Sequence, residues 1–233
     1  MNVQHGDARD LPLDDASVAC VVTSPPYNMD IEYGDHYVDR LDWNEYGRLA
    51  VEASREIERV LVPGGRAWVN VPPAAPGGRD GSRVNVAAGW ADALEGAGLN
   101  YRDTTVWIQD SHDAACAWGS WRRPTAPNLR GSYELILSFY KGDWKRVDPT
   151  EEGYTDEGED WPDLVRNVWT MQPARRRDGA PAPFPEELPA RCIRLSTFPG
   201  ETVLDPFAGS GTTLRAAEAL GRVGLGFDLG AQS

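Results

Sequence analysis

Val22-Thr23-Ser24-Pro25-Pro26-Tyr27-Asn28 places a hydroxyl, two prolines and an aromatic ring directly behind an apolar run. Two consecutive prolines fix φ at both positions and remove two amide donors, so the carbonyls around Ser24 and Pro25 stay out of a strand ladder. The product is a stiff, acceptor-rich turn with the flat face of Tyr27 beside it. Such a surface suits a planar ligand carrying an NH2 group, for instance a nucleobase taken out of its helix. On its own the same stretch also reads as an ordinary proline-rich turn that closes a strand.

A second stretch, Glu201-Thr202-Val203-Leu204-Asp205-Pro206-Phe207-Ala208-Gly209-Ser210-Gly211-Thr212-Thr213, reads as strand, glycine turn and helix start. Gly209 and Gly211 allow close backbone approach, and amides left free at the start of a helix face an anionic or carboxylate-bearing ligand. Asp205 can accept from a ligand ammonium. The next strand, Arg222 to Phe227, ends on Asp228, where a carboxylate is wanted to accept two ribose hydroxyls. Strand, loop, helix and acid in this register point to a site for a nucleoside cofactor.

The elements that must carry these residues alternate between strand and helix. Val3 to His5 and Val18 to Val22 read as strands, the second buried and delivering the Pro-Pro turn at its carboxyl end. Residues 29 to 42 lack periodicity and read as a mobile loop. Tyr46, Leu49, Ala50, Ala53, Ile57, Val60 and Leu61 recur at helical spacing behind Asp42, with Pro63-Gly64-Gly65 as the stop. A strand over 66–71, a Pro/Gly/Ala loop to Gly81 and a helix from about Asn85 to Ala97 follow. Strands are then expected over 104–108 and 134–140, an acidic loop over 142–163, and a helix from about Glu186 to Thr197.

At 233 residues the chain suits one α/β domain with a core large enough to stand alone. Cys20, Cys116 and Cys192 are odd in number and far apart, so neither a disulfide framework nor a zinc site is indicated, and a reducing cytoplasm fits. No basic start with an apolar follow-on and no membrane-length apolar run occurs, so a soluble, cytoplasmic protein without membrane or metal partner is expected. The net charge of -13 has the wrong sign for wholesale binding to a polyanion. It is uneven, however: residues 142 to 163 hold nine acids against Lys145 and Arg146. Residues 117 to 132, with Trp121, Arg122, Arg123 and Arg130, and residues 166 to 177, with Arg175 and Arg176, contain no acid. These are the candidate nucleic-acid contacts; solvated loops paired with nearby carboxylates, or core packing for the tryptophan, are the plainer readings.

Together, Thr23-Ser24-Pro25-Pro26-Tyr27 and Asp205-Pro206-Phe207-Ala208-Gly209-Ser210-Gly211 resemble the DNA amino-methyltransferases that use S-adenosylmethionine. The catalytic motif precedes the cofactor motif, as in the circularly permuted beta-type group. Gly6-Asp7-Ala8-Arg9, Leu61-Val62-Pro63-Gly64-Gly65, Ala182-Pro183-Phe184-Pro185 and Gly226-Phe227-Asp228 extend the resemblance over most of the chain. It implies a three-layer α/β sandwich of the class I methyltransferase type, Rossmann-like and doubly wound, with a mostly parallel sheet and one antiparallel strand near the edge. A single domain over residues 1–233 is implied, with a catalytic half (1–172) and a cofactor-motif half (173–233). It further implies that Asp205, Gly209, Gly211 and Thr212 hold the methionine end of the cofactor, that Asp228 holds its ribose, that Asp7 meets its adenine, that Phe184 and Pro185 close over the methionyl part, and that Phe207 belongs to the cofactor site. Ser24, Pro25, Pro26 and Tyr27 would hold the target base of double-stranded DNA, and a homodimer is the family expectation.

Acceptors at Ser24 and Pro25 would hold the hydrogens of an exocyclic amine out of plane and so localise its lone pair for direct displacement. A carbon-5 cytosine mechanism needs a thiolate, usually from a Pro-Cys pair, and the three cysteines follow Ala19, Ala115 and Arg191. Ser24 resembles the cytosine-N4 pattern, whereas adenine-N6 members more often carry Asp or Asn there, so cytosine N4 is favoured and adenine N6 is the alternative. RNA or a protein amide as substrate, or a non-catalytic DNA-binding module, are further alternatives. The chain departs from the family pattern in two ways. Only about ten residues separate Gln172 from Ala-Pro-Phe-Pro, where a target-recognition insert is usual, so readout is expected from 29–42, 110–132 or a partner protomer. Ser233 follows closely on Asp228, which leaves one sheet edge thinly covered. The target sequence and any companion restriction nuclease are not written in the chain.

Overall fold

The computed structural model describes residues 3–29, 32–33, 37–38, 40–77, 82–109, 124–125, 131–147, 156, 158, 160–174 and 184–231. In chain order the elements are β1 (Gln4–His5), β2 (Val18–Thr23), β3 (Glu32–Tyr33), β4 (Tyr37–Val38), α1 (Trp43–Val60), β5 (Leu61–Val71), β6 (Ala75–Pro76), β7 (Arg83–Val84) and α2 (Val86–Gly96). They continue with β8 (Asn100–Gln109), β9 (Tyr133–Tyr140), α3 (Trp161–Leu164), β10 (Val168–Met171), α4 (Glu187–Arg194), β11 (Thr202–Asp205), α5 (Thr212–Ala219) and β12 (Val223–Asp228).

The main sheet has the order β1-β12-β11-β2-β5-β9-β8-β10. Every neighbouring pair is parallel except the two made by β9, which runs antiparallel to both β5 and β8. This is the expected mostly parallel, doubly wound sheet, with its one antiparallel strand two places in from the β10 edge.

Period-two alternation divides the core between two faces. Val21 of β2, Leu137 and Phe139 of β9 and Leu204 of β11 pack with Ala53 and Ile57 of α1 and Trp90 and Leu94 of α2. Their sequence neighbours Cys20, Val22, Ile136 and Val203 instead pack with Leu188 and Ile193 of α4 and Ala216 and Ala217 of α5. Helices on both faces of one sheet make the three layers. At Gly224 the approach is close: a Cβ there would lie 2.8 Å from the Leu214 carbonyl, so only glycine lets α5 settle on β12. Among the described residues no helix is long and apolar enough to cross a membrane.

Asp42 caps α1 by accepting from the Asn44 amide at 2.9 Å. The helix stops earlier than Pro63-Gly64-Gly65 suggests: Leu61 already has extended backbone, and the chain enters β5 directly. Val62 precedes a proline and is therefore biased away from helix. Pro63, Gly64 and Gly65 then bulge out of the β2 pairing, whose register jumps from Val18–Leu61 to Cys20–Arg66. The segment 29–42, read as a loop, contains the short antiparallel pair of β3 with β4, and β6, within the loop read over 72–81, pairs antiparallel with β7 just beyond it.

Parallel strands bring their carboxyl ends to one edge of the sheet. Thr23, Asp205 and Asp228 close β2, β11 and β12 there, and β1 runs into Gly6 and Asp7 beside them. Because β9 is antiparallel, its amino end, Tyr133 and Glu134, comes to this edge together with Asn70 and Val71 at the end of β5. Sites in open α/β sheets form at this edge, where the strand order reverses.

Candidate active site

A cavity of about 520 Å³ opens at this edge, within the range of small-ligand pockets. Gly6, Asp7 and Arg9 form one wall, Pro206, Phe207 and Gly209 a second, Asp228 to Ala231 a third, and Glu45, Leu49 and Glu52 of α1 a fourth. Ser24 and Pro26 also line it, so the Pro-Pro turn and the glycine loop share one cavity although 181 residues separate Ser24 from Asp205.

Asp228 is held ready at the rim. Its Oδ2 accepts from the Gly209 amide at 2.9 Å and its Oδ1 from the Gly230 amide at 2.8 Å. Each carboxylate oxygen retains lone pairs beyond these bonds, which suits a vicinal diol. Gly211 has φ +76° as it enters α5, a conformation that favours glycine, and its amide donates to Ala208 O at 2.7 Å. Asp7 is engaged by the Arg9 guanidinium in a two-pronged pair at 2.6–3.1 Å, which holds its carboxyl below the usual range. A nucleoside with an amino-acid tail matches this cavity in size, in its mixture of apolar walls and few polar groups, and in its rim acid.

Asp205 lies elsewhere than the glycine-loop pattern suggests. It is 1% exposed, lines no part of the cavity, and accepts from Thr23 Oγ1 at 2.6 Å, Thr213 Oγ1 at 2.7 Å and the Phe207 amide at 3.1 Å. These bonds tie β2, β11 and α5 together behind the site. Burial pushes the Asp205 carboxyl up to about 6, against the pull of the bonds from Thr23 and Thr213. A carboxyl raised on folding binds more protons folded than unfolded, so its contribution to stability falls as pH rises from about 4 to 6 and stays reduced above that. Asp205→Asn lacks this titration. Urea unfolding across a pH series is expected to show the stability of Asn relative to wild type improving by about 2 kcal/mol from pH 4 to 7. A difference independent of pH would refute the raised carboxyl.

Thr212 and Gly211 are buried and shape the loop from behind it. Arg215 reinforces it by donating to Ser210 O and Thr212 Oγ1 while pairing with Glu186 at 2.7 Å. Phe184 is half-buried against the α4/α5 core and, like Pro185, is not part of the cavity lining. Trp121, Arg122, Arg123, Arg130, Arg175 and Arg176 lie outside the described residues.

The Pro-Pro turn is fastened from several directions. The Tyr46 hydroxyl donates to Pro26 O at 2.7 Å and accepts from Trp90 Nε1 at 3.0 Å, so α1 and α2 both grip it. Asn28, at φ +57°, exchanges two hydrogen bonds with the Leu41 backbone, at 2.7 and 3.0 Å. The Tyr27 hydroxyl lies 2.8 Å from Ser24 Oγ, donates to Glu134 Oε2 at 2.7 Å and accepts from Asn70 Nδ2 at 2.7 Å. Gln109 Nε2 donates to the other Glu134 oxygen at 2.6 Å. Sequence reasoning missed Asn70, Gln109 and Glu134. A polar residue at a strand end is their only signal, and many strands have one.

Residues 18–233 match the family model N6_N4_Mtase, described as DNA methylase. The chain is 31% identical to the Type II methyltransferase M.MjaI of Methanocaldococcus jannaschii, over 96% of its own length and 85% of that protein. Among solved structures it is similar to a putative DNA modification methylase of Thermus thermophilus complexed with S-adenosyl-L-methionine, with 31% identity, TM-score 0.74, and coverage of 98% of this chain and 87% of that one. The PvuII DNA methyltransferase, described as cytosine-N4-specific, shares the fold at TM-score 0.73 with 21% identity, covering 97% of this chain and 80% of that one.

Proposed function

Because the chain belongs to the N6/N4 DNA methylase family, we propose that it methylates the exocyclic N4 of cytosine in double-stranded DNA, with Ser24 to Tyr27 receiving the flipped base. The observation that carries this reading is the shared cavity: Ser24 and Pro26 line the same space as Phe207, Gly209 and Asp228. A base held at the turn is thereby adjacent to a cofactor held at the loop. S-adenosylmethionine supplies a sulfonium-bound methyl group of high electrophilicity when bound.

The chain's own residues then perform binding and alignment. Asp228 accepts from the ribose hydroxyls, and Pro206 and Phe207 give the cofactor an apolar wall. Ser24 Oγ and the Pro25 carbonyl accept the two hydrogens of the amine, which turns its lone pair out of the ring plane and toward the methyl group. Holding the two reactants in line removes most of the entropic barrier of a bimolecular displacement. Tyr27 offers its ring face to the base. A neutral hydroxyl at position 24, in place of a carboxylate or amide, is the feature that favours cytosine over adenine. Acid-free runs with Trp121, Arg122, Arg123, Arg130, Arg175 and Arg176 supply local positive charge for phosphates on an otherwise acidic protein.

Mass spectrometry of nucleosides from unmethylated DNA incubated with protein and cofactor tests this directly, with RNA and protein substrates run in parallel. N4-methylcytosine in the DNA arm is the expected product. N6-methyladenine would overturn the choice of base, and methyl transfer confined to RNA or protein would overturn the choice of DNA.

A further inference from the structure

Glu134 lies at the amino end of the antiparallel strand, where it reaches the catalytic edge, opposite Trp107 on β8 and one residue from the β5 pairing of Val71 with Leu135. It does not line the cavity. Its carboxylate nevertheless gathers three donors. Tyr27 Oη and Asn70 Nδ2 approach Oε2 at 2.7 and 2.6 Å, and Gln109 Nε2 approaches Oε1 at 2.6 Å.

Counting protons along this chain constrains the direction of its bonds. An ionised carboxylate has no hydrogen to give, so the contact between Tyr27 and Glu134 consumes the single phenolic proton of Tyr27. Asn70 Nδ2 spends its two hydrogens on Tyr27 Oη and Glu134 Oε2. A hydrogen bond across the 2.8 Å contact between Tyr27 Oη and Ser24 Oγ then has only the proton of Ser24 to use. The backbone carbonyl of Asn70, 3.3 Å from Ser24 Oγ, is a second and longer acceptor for that proton, and it too spends it within the protein. With the proton so directed, the remaining lone pairs of Ser24 Oγ are what a ligand at the turn meets. The cost of this order is visible at Asn70, whose Oδ1 is buried without a hydrogen-bond partner among the described residues. Turning the amide over would point Oδ1 at the carboxylate.

We propose that Glu134 is a positioning residue that sets the polarity of the Ser24–Tyr27 hydroxyl pair, so that Ser24 meets the target amine as an acceptor and not as a donor. The inference rests on the reading that the turn receives an exocyclic amine. It also extends it: without Glu134, the Tyr27 proton is released to Ser24. The hydrogen of Ser24 is then held only by the long contact to Asn70 O, and it can face the NH2 group and oppose its binding. Selectivity for a donor-bearing base edge thus originates two side chains away from the base.

The test uses single-turnover methyl transfer from labelled cofactor to DNA, with cofactor affinity and thermal unfolding measured on each variant. Glu134→Leu keeps the bulk and removes the acceptor; transfer is expected to slow about 100-fold, as for loss of one preorganised polar group, with cofactor affinity unchanged. Glu134→Gln retains an oxygen for Tyr27 and is expected to stay within about 10-fold of wild type. In a Tyr27→Phe background, where the hydroxyl relay is already broken, Glu134→Leu should change the rate less than about 3-fold, whereas a merely structural role would slow both backgrounds equally. Equal slowing in both backgrounds, or a Glu134→Leu enzyme within about 3-fold of an active wild type, overturns this inference alone. A wild type that methylates no base amine overturns it together with the function it rests on.

Discussion

Tyr27→Ala is expected to slow methyl transfer to DNA by about 100- to 1,000-fold while S-adenosylmethionine binds within about twofold of wild type. Two losses combine. The ring face that a flipped base would stack on disappears, worth about 1–3 kcal/mol per base in comparable sites. The hydroxyl that joins Ser24, Asn70 and Glu134 goes with it, leaving the carboxylate of Glu134 and the amide of Asn70 without one of their partners. Cofactor affinity is spared because Tyr27 is not part of the cavity lining. Single-turnover transfer and titration calorimetry on the same preparation separate the two effects. Wild-type transfer by this variant would remove the base from the Pro-Pro turn.

The second large effect belongs to Asp228. Its two oxygens are oriented by the Gly209 and Gly230 amides, so the carboxylate is fixed before any ligand arrives and no ordering cost is added on binding. Asp228→Ala removes two charge-assisted acceptors and takes that partner from both the Gly209 and Gly230 amides. Hydrogen bonds to a charged group contribute about 1.5–3 kcal/mol each, so calorimetry should show cofactor affinity falling about 100-fold or more. Asp228→Asn, which retains one acceptor oxygen, should fall between alanine and wild type. Unchanged affinity in the alanine variant would refute the ribose role.

These two predictions draw on different kinds of legibility. Ser24-Pro25-Pro26-Tyr27 and the run from Asp205 to Thr213 act through local chemistry: prolines that fix φ, glycines that permit left-handed backbone, and apolar runs that must be buried strands. Such features are readable in a window of ten residues, and the structure places both stretches at carboxyl ends of parallel strands as that reading requires. Asp205 shows the limit. Its position at a strand end before a glycine loop suggests a ligand contact, but Thr23, Thr213 and the Phe207 amide surround it and turn it into a buried tie between β2, β11 and α5. Nothing within the glycine loop itself indicates that Thr23, 182 residues earlier, would claim its Oδ1.

By itself the sequence determined the α/β class, the two motifs, their order and the terminal acid of β12, because each depends on residues close together in the chain. Only the tertiary structure decided that the two motifs share one cavity, and that β9 runs antiparallel and so delivers Glu134 to Tyr27 across 107 residues of chain. Strand order and register are set by which faces can bury their apolar side chains against which helices. That choice is made by the whole core at once, so the polar groups it brings together at the sheet edge carry no local signature.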